Sequence, residues 1–283
     1  MTSFESRAAY EVWRQVIADE ELCAAMLAGN HRELAPSRGL DELQMAVLDA
    51  FHAEPGTRWN IENLRFRSAQ ETSSSVGSYM PLTVKLLTRG DDDWLQELCF
   101  EYLAHHRWSN LGHLRLRECE RFAAYVRDRV AKRRVPPEHL EPVLQFELAV
   151  IRLLKRTSDI PGDAWPTGQV PADDALADSC PRRSPAVELV TLDVDIRDWI
   201  ATADPLRGGV KPGPVTFLIV VPSLSEVHRT VAVGEGAREV LDRCDGQHTV
   251  AALSAELEEE FELPAADVGR LVCQWLRERI LGL

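Results

Sequence analysis

The chain has 283 residues, of which 45% are hydrophobic and 27% charged, a balance typical of a soluble globular protein. Its formal net charge is −13, and because acidic surfaces repel phosphate backbones, generic nucleic-acid binding is disfavoured. The sequence has no run of about 18 apolar residues and no apolar signal core behind a basic start. We therefore expect no membrane insertion and no export, and predict a cytoplasmic protein.

The first 156 residues are predicted to form an all-helical domain. Helical spacing of apolar residues indicates helices over residues 4–17, 19–28, 40–53, 91–105, 116–130 and 138–156. Asp91, Asp92 and Asp93 suit a helix N-terminus. The segment 138–156 is apolar nearly all round, which predicts a central helix buried on several sides.

Glu147 stands out inside that apolar segment, in the stretch VLQFELAVI. A carboxylate there must be paired or must reach a surface. Two alternatives follow: Glu147 pairs with an arginine such as Arg121 or Arg127, or its helix face meets a partner protein.

Residues 157–184 are rich in proline, glycine and aspartate and show no period, so we predict a linker. After it the apolar period changes to two, which indicates strands at 186–197, where the alternation begins at Val190, and at 215–221 and 227–233. Three helices are predicted over 235–244, 249–261 and 264–280. Residues 185–283 are therefore expected to be a small winged-helix-like domain of three strands and three helices, and the whole chain an α+β protein.

The turn Gly234-Glu235-Gly236 follows an apolar strand and precedes a helix, the order found in dinucleotide-binding sites. That fingerprint needs a third small residue where this chain has Glu239, and the helix ends early at Asp245-Gly246. We therefore interpret the turn as a tight connection and not as a phosphate site.

A winged-helix domain can bind DNA or peptide. Residues 185–283 carry nine basic and seventeen acidic side chains, a net charge of −8, and the middle helix contains an acidic run at 256–260. This charge opposes DNA contact. An edge strand beside an apolar helix can instead accept an extended peptide as a further strand. The third strand and the last helix are the predicted walls, and the candidate peptide-binding residues are Val227, Arg229, Val231, Val233, Val268, Leu271, Val272, Trp275 and Leu276.

The segment from Val227 to Leu283 resembles the PqqD-like recognition elements of ribosomally made, modified peptides. The stretches that carry the resemblance are GEGAREVLDRCDGQHTVAAL, SAELEEEFEL and DVGRLVCQWLRERILGL. The resemblance covers about a fifth of the chain. It implies a domain that binds the leader of a precursor peptide for an enzyme elsewhere.

The helical block resembles the partner subunits of multinuclear non-heme iron oxidative enzymes. The stretches are NIENLRFRSAQ, YMPLTVKLL, LCFEYLAHHRW and LEPVLQFELAVIRLLKR. Such partners combine a helical domain with a C-terminal peptide-recognition domain. The resemblance implies that this chain holds no cofactor, that iron belongs to a companion enzyme in a heterodimer, and that cysteine modification, as in the 3-thiaglutamate pathway, is a plausible chemistry.

Arginines, aromatic residues, histidines and cysteines are candidates for further sites. Arginines and aromatic residues lie close together in two places, and because interfaces are enriched in both types we expect Arg65, Arg67, Arg107 and Trp108 to dock the companion enzyme. His105, His106 and His113 lack metal-ligand spacing and are interpreted as structural. None of the six cysteines lies in a CxxC pair, and the five inside helical patterns are expected to be core thiols in a reducing compartment.

The sequence thus predicts a non-catalytic partner protein that binds a leader peptide by strand addition and presents it to an iron-dependent oxidative enzyme. The alternative is a winged-helix transcriptional regulator. An enzyme in its own right is a third possibility, but no catalytic constellation in the sequence supports it.

Overall fold

The structure is a computed structural model that describes residues 3–34, 36–89, 91–109, 115–131, 137–223 and 226–283. The α-helices are α1 (Ser3–Ala18), α2 (Glu20–Ala28), α3 (Glu42–Ala53), α4 (Thr57–Tyr79), α5 (Pro81–Thr88), α6 (Asp92–His105), α7 (Arg115–Ala131), α8 (Leu140–Ser158), α9 (Asp173–Ala177), α10 (Arg197–Thr202), α11 (Glu235–Arg243), α12 (Val250–Phe261) and α13 (Ala265–Arg277). The strands are β1 (Arg182–Arg183), β2 (Val187–Asp195), β3 (Lys211–Val220), β4 (Arg229–Val233) and β5 (Leu281–Gly282). The predicted α+β class is confirmed, with helices first and a sheet with helices after them. Within the described ranges, no helix is long and apolar enough to cross a membrane.

The chain divides into two compact units. The first contains residues 1–78 and 90–126, and the second contains residues 79–89 and 127–283. This division differs from the boundaries at 156 and 184 that the sequence suggested, because α5 and α8 belong to the same unit as the sheet. Contacts between α8 and β2 and between α5 and α8 hold these elements together.

Aspartates cap the N-termini of α2, α3 and α6 in the first unit. Asp19, Asp41 and Asp91 each precede a helix and accept hydrogen bonds from amides of its first turn. Asp91 therefore acts as the predicted acidic start of α6. In the core of this unit Tyr102 donates to Glu118, and the Nε of Arg121 donates to the Tyr102 hydroxyl at 2.7 Å. These bonds satisfy polar groups that burial would otherwise penalise.

The second unit centres on an antiparallel sheet in the order β2-β3-β4. Alternate residues of a strand face opposite sides, and both faces of this sheet are covered. On one side, which we call the α8 face, the sheet packs against α5, α8 and α10, and the buried residues include Val143, Phe146, Leu153, Val190, Leu192, Trp199, Phe217 and Ile219. On the other, the α13 face, it packs against α9 and α11–α13, and the buried residues include Leu176, Val187, Leu218, Val220, Val240, Leu253, Val272 and Trp275.

The segment 157–184, expected to be a linker, belongs to the second unit. Leu176 of the short helix α9 is buried in the α13-face core. Strand β1 pairs with β5 in an antiparallel two-stranded sheet, with Arg182 opposite Gly282. The compositional signal for a linker therefore marks a loop-rich connection that contributes to the core.

The structure corrects both predicted alternatives for Glu147, an arginine partner and a helix face that meets a partner protein. Its carboxylate is buried and accepts hydrogen bonds from the backbone amides of Leu82 at 2.7 Å and Thr83 at 3.1 Å. Arg127 pairs instead with Glu141, and Arg121 with Glu118. The side chain of Glu147 thus caps α5, whose own cap residue, Met80, has no side-chain hydrogen bond to offer.

The glycine turn is a structural connection. Gly234 precedes α11 as its cap residue, and a β-carbon at Gly236 would lie 2.8 Å from Cδ2 of Leu263. Gly236 therefore allows Leu263, in the connection between α12 and α13, to pack against the first turn of α11.

Candidate functional site

Strand β4 lies at one edge of the three-stranded sheet, as its predicted role as a peptide acceptor requires. It pairs only with β3, in a register that sets Val231 opposite Leu218 and Arg229 opposite Val220. An edge strand leaves every second residue with an unpaired N–H and C=O.

The register shows which residues of β4 carry the open groups. The Val221 amide donates to the Ala186 carbonyl at 3.0 Å, so these opposite residues form a hydrogen-bonded pair. Such pairs recur at every second residue along an antiparallel ladder. It follows that the backbone N–H and C=O groups of Phe217 and Ile219 point toward β2. Those of Leu218 and Val220 point toward β4.

Arg229, Val231 and Val233 lie opposite Val220, Leu218 and Thr216, so their N–H and C=O groups bond to β3. Thr230 and Ala232 therefore present their N–H and C=O groups outward. No side chain in the described ranges donates to the β4 backbone, so this edge is open.

The opposite edge of the sheet, at β2, is partly covered by side chains of α8. Its outward carbonyls belong to Val187, Leu189 and Thr191. Arg156 of α8 donates to the Val187 carbonyl at 2.8 Å, and Gln145 donates to the Thr191 carbonyl at 3.4 Å. Side chains of α8 thus occupy acceptors that another strand would need, and of the two edges β4 is the accessible one.

The side chains of Arg229, Val231 and Val233 point to the α13 face, because Val233 packs against its core. Val231 is 56% exposed and Val227, just before the strand, is 80% exposed. Arg229 is also exposed and pairs with Glu226 at 2.8 Å. An apolar strip with one cation therefore borders the open edge.

Helix α13 runs antiparallel to β4 along this side. Leu263, just before α13, packs near Gly236, just after β4. Arg279, just after α13, donates to the Pro222 carbonyl at 3.4 Å, near the end of β3. We call the surface between the open edge of β4 and α13 the groove.

The nine predicted peptide-binding residues fall into two groups. Val227, Arg229, Val231, Val233 and Leu271 are exposed or half-buried and border the groove. The other four, Val268, Val272, Trp275 and Leu276, are buried in the core. Their side chains hold α13 in place against the sheet. The sequence pattern also missed Thr230 and Ala232, since strand period distinguishes faces and does not show which backbone groups point outward.

The predicted docking residues lie in the first unit, and the structure brings two of them together. The guanidinium of Arg65 stacks over the ring of Trp108, 4.8 Å from its centroid. Arg107 is exposed and precedes Trp108. Arg67 is exposed and lies about 200° around α4 from Arg65, on another side of the helix.

The described residues contain no group of three or more histidine, cysteine or acidic side chains placed to hold a metal ion. His105 and His106 stack against each other and against Tyr125, and His113 lies outside the described residues. All six cysteines are free, and burial raises the pKa values of Cys99 and Cys244 to about 12, which keeps both as thiols.

A cavity of about 1280 Å³ lies in the second unit beside β2. Most of its charged groups are already satisfied within the protein: Arg156 pairs with Glu188 and Arg183 with Asp242. The cavity is therefore a weaker candidate than the open edge for binding a ligand.

The residues that border the groove lie in a part of the chain that matches a known protein family. Residues 224–281 match the family described as coenzyme PQQ synthesis protein D (PqqD). The chain matches none of the curated proteins with which it was compared. The matched range contains β4 and α11–α13, so the chain carries a PqqD-like domain at its C-terminal end.

Proposed function

We propose that this chain is a non-catalytic partner protein that binds the leader of a ribosomally made precursor peptide and presents it to a modifying enzyme. The observation that carries the proposal is the difference between the two sheet edges. Side chains of α8 cover β2, whereas Thr230 and Ala232 of β4 offer free N–H and C=O groups beside exposed Val231. The PqqD match over the same residues supports a peptide as the ligand.

In this proposal the leader adds as a fourth strand. Its main chain exchanges hydrogen bonds with Thr230 and Ala232, which gives affinity for any extended segment. Its side chains on the α13 face contact Val231 and Leu271, and Arg229 can exchange Glu226 for an acidic group of the peptide. These side-chain contacts give selectivity for apolar residues at alternate positions.

The companion is proposed to be an iron-dependent oxidative enzyme that forms a heterodimer with this chain. This part of the proposal rests on the resemblance of the helical sequence to partner subunits of such enzymes. Holding the leader on the partner makes the encounter between enzyme and core peptide intramolecular, which raises the effective concentration of the core peptide. Cysteine modification is the chemistry that the same resemblance favours.

Proline substitutions at adjacent residues of β4 test strand addition. Thr230→Pro removes an outward N–H, a change that edge strands tolerate, and its ring obstructs an incoming strand. We expect the affinity for a fluorescein-labelled leader segment, taken from the precursor gene nearest this chain's gene, to fall at least about tenfold, or about 1.4 kcal/mol. Fluorescence anisotropy with the full chain measures the change.

Two further variants control for the fold. Thr230→Val keeps the N–H and a similar side-chain shape, so its affinity is expected to equal that of the wild type. Val231→Pro removes a bond to β3 and is expected to lower the melting temperature. Strand addition at β4 is excluded if Thr230→Pro melts like the wild type and binds the labelled leader equally well.

A further inference from the structure

A cavity of about 560 Å³ in the first unit is lined by four aromatic side chains and one arginine. Helix α4 supplies one wall, with residues spaced i, i+3, i+4 and i+7 on a single face. Phe100 of α6 and Trp108 supply the other wall. We call it the aromatic cavity, and its lining is Trp59, Glu62, Asn63, Arg65, Phe66, Phe100 and Trp108.

Two N–H donors of this lining have no acceptor among the residues that the structure describes. The indole Nε1 of Trp108 and the Nε of Arg65 are both shielded from solvent and form no hydrogen bond among the described residues. Trp108 as a whole is only 9% exposed. Each unsatisfied buried donor costs roughly 1–3 kcal/mol, so a ligand that brings an acceptor to this place gains from both.

The charge of Arg65 indicates that the acceptor is an anion. In the part of the chain that the structure describes, Arg65 has no carboxylate partner, and its one hydrogen bond runs from Nη2 to the Ile17 carbonyl at 3.4 Å. Glu62 is also in the lining, but it pairs with Arg58 at 3.9 Å. The chain has 45 acidic and 32 basic residues, so an arginine without a carboxylate partner among the described residues stands out. Arg65, beside aromatic rings, therefore complements an acidic ligand.

The rim of the cavity indicates a protein ligand. Trp59 is 65% exposed and Phe66 is 44% exposed, which leaves more aromatic surface in water than a single carboxylate would cover. Tryptophan and arginine are the residue types that contribute most to protein interfaces. The backbone adds strain, since Arg107 and Trp108 both have positive φ, at 53° and 54°. Left-handed geometry in such residues costs about 1–2 kcal/mol each, and strain of this kind concentrates at binding sites.

We propose that the aromatic cavity docks a segment of the companion protein in which an aspartate or glutamate adjoins a large apolar residue. The carboxylate accepts hydrogen bonds from Arg65 and Trp108. The apolar side chain packs on Trp59, Phe66 and Phe100. The inference rests on the proposed function, because the segment belongs to the enzyme that this chain is proposed to serve.

A random heptapeptide display library, panned on the full chain, tests the proposal without knowledge of the partner. Bound peptides are expected to be enriched in an acidic residue next to leucine, phenylalanine or tryptophan. A synthetic capped peptide of the enriched sequence is then titrated against variants. Arg65→Met and Trp59→Ser should each weaken it at least about tenfold, whereas Arg67→Met, which changes an arginine of the same helix outside the cavity, should change affinity less than about twofold.

A glutamine replacement of the acid in the peptide completes a double-mutant cycle. With the wild-type protein, this replacement should lower the affinity of the peptide by as much as Arg65→Met does. With the Arg65→Met protein, it should lower the affinity no further. The proposal is overturned by libraries without acidic enrichment, by unchanged affinity in Arg65→Met, or by capped glutamate competing as strongly as the whole peptide. It is equally overturned if the wild type self-associates and Trp59→Ser abolishes that association, since the occupant is then a second copy.

The same variants separate this proposal from peptide binding at β4. Arg65→Met and Trp59→Ser should bind the labelled leader with wild-type affinity. Loss of library-peptide binding with intact leader binding supports two independent sites. Failure of Thr230→Pro to alter leader binding contradicts strand addition and leaves the result at the aromatic cavity unaffected.

Discussion

Glu147 is a buried carboxyl group that caps a helix other than its own. Burial is the largest influence on it and raises its pKa to about 7, while the amides of Leu82 and Thr83 partly oppose that rise. In the unfolded chain the same group has a pKa near 4.5. The folded protein therefore binds more protons than the unfolded chain between about pH 4.5 and 7.

This difference predicts that stability declines as pH rises. A raised folded pKa contributes stability that is fully present below the unfolded pKa and is lost as pH rises through the folded pKa. Between pH 5 and pH 8 the free energy of unfolding should fall by an amount on the order of 3 kcal/mol at most. Urea denaturation of the full chain at the two pH values measures this fall.

Glu147→Gln supplies the control for the pH dependence. Glutamine does not titrate and has one acceptor for two amides, so the variant should be less stable at pH 5 and should lose most of the slope. If wild type and Glu147→Gln show the same dependence on pH between 5 and 8, another group controls stability there and the assignment to Glu147 fails.

At the scale of elements, the covering of the β2 edge by α8 leaves β4 as the accessible edge of the sheet. Arg156 carries most of it, since its Nε also donates to the Pro185 carbonyl at 2.6 Å. Arg156→Ala should uncover the edge and allow chains to pair through β2, which sedimentation velocity would detect as concentration-dependent association.

Arg152→Ala is the matched control for this prediction. Arg152 is an exposed arginine on the same helix and forms no ion pair within the described part of the chain. It should leave the sedimentation profile unchanged. Equal profiles for Arg156→Ala and Arg152→Ala would show that the β2 edge needs no such cover.

The elements themselves were largely predictable, because apolar period depends on neighbouring residues. The three strands and the last three helices occur within a few residues of their predicted bounds. Helix α4 was not predicted as a separate element, since its apolar and small residues, such as Ala69 and Val76, lack a single continuous stripe. The pairing of β1 with β5 joins residues about 100 positions apart, and no local pattern reports it.

The candidate site was predictable in part, for a physical reason. Alternation in β4 correctly gave one face for Arg229, Val231 and Val233. It did not show that Val231 bonds inward and Thr230 outward, because that parity is fixed by the partner strand. Burial of Trp275 and Val272 likewise depends on how α13 packs against the sheet, which sequence spacing does not determine.

At the scale of the whole molecule, the chain builds two compact units, and the second is assembled from two separate stretches. Residues 79–89 and 127–158 place α5 and α8 on the sheet face opposite the groove. The peptide-binding domain suggested by the sequence, 185–283, keeps α10 but lacks α5 and α8, which pack on the same face as Phe217 and Ile219. The β4 edge is in this way part of a larger core than the PqqD-like segment alone provides.

Amide hydrogen exchange of the full chain, resolved by residue with NMR, tests strand addition at β4 most directly. In the free protein the amides of Arg229, Val231 and Val233 should exchange slowly, and those of Thr230 and Ala232 fast, because only the first three bond to β3. Saturation with the leader peptide should slow Thr230 and Ala232 at least about tenfold through new main-chain hydrogen bonds. Unchanged exchange at both residues while the peptide is bound would contradict the account.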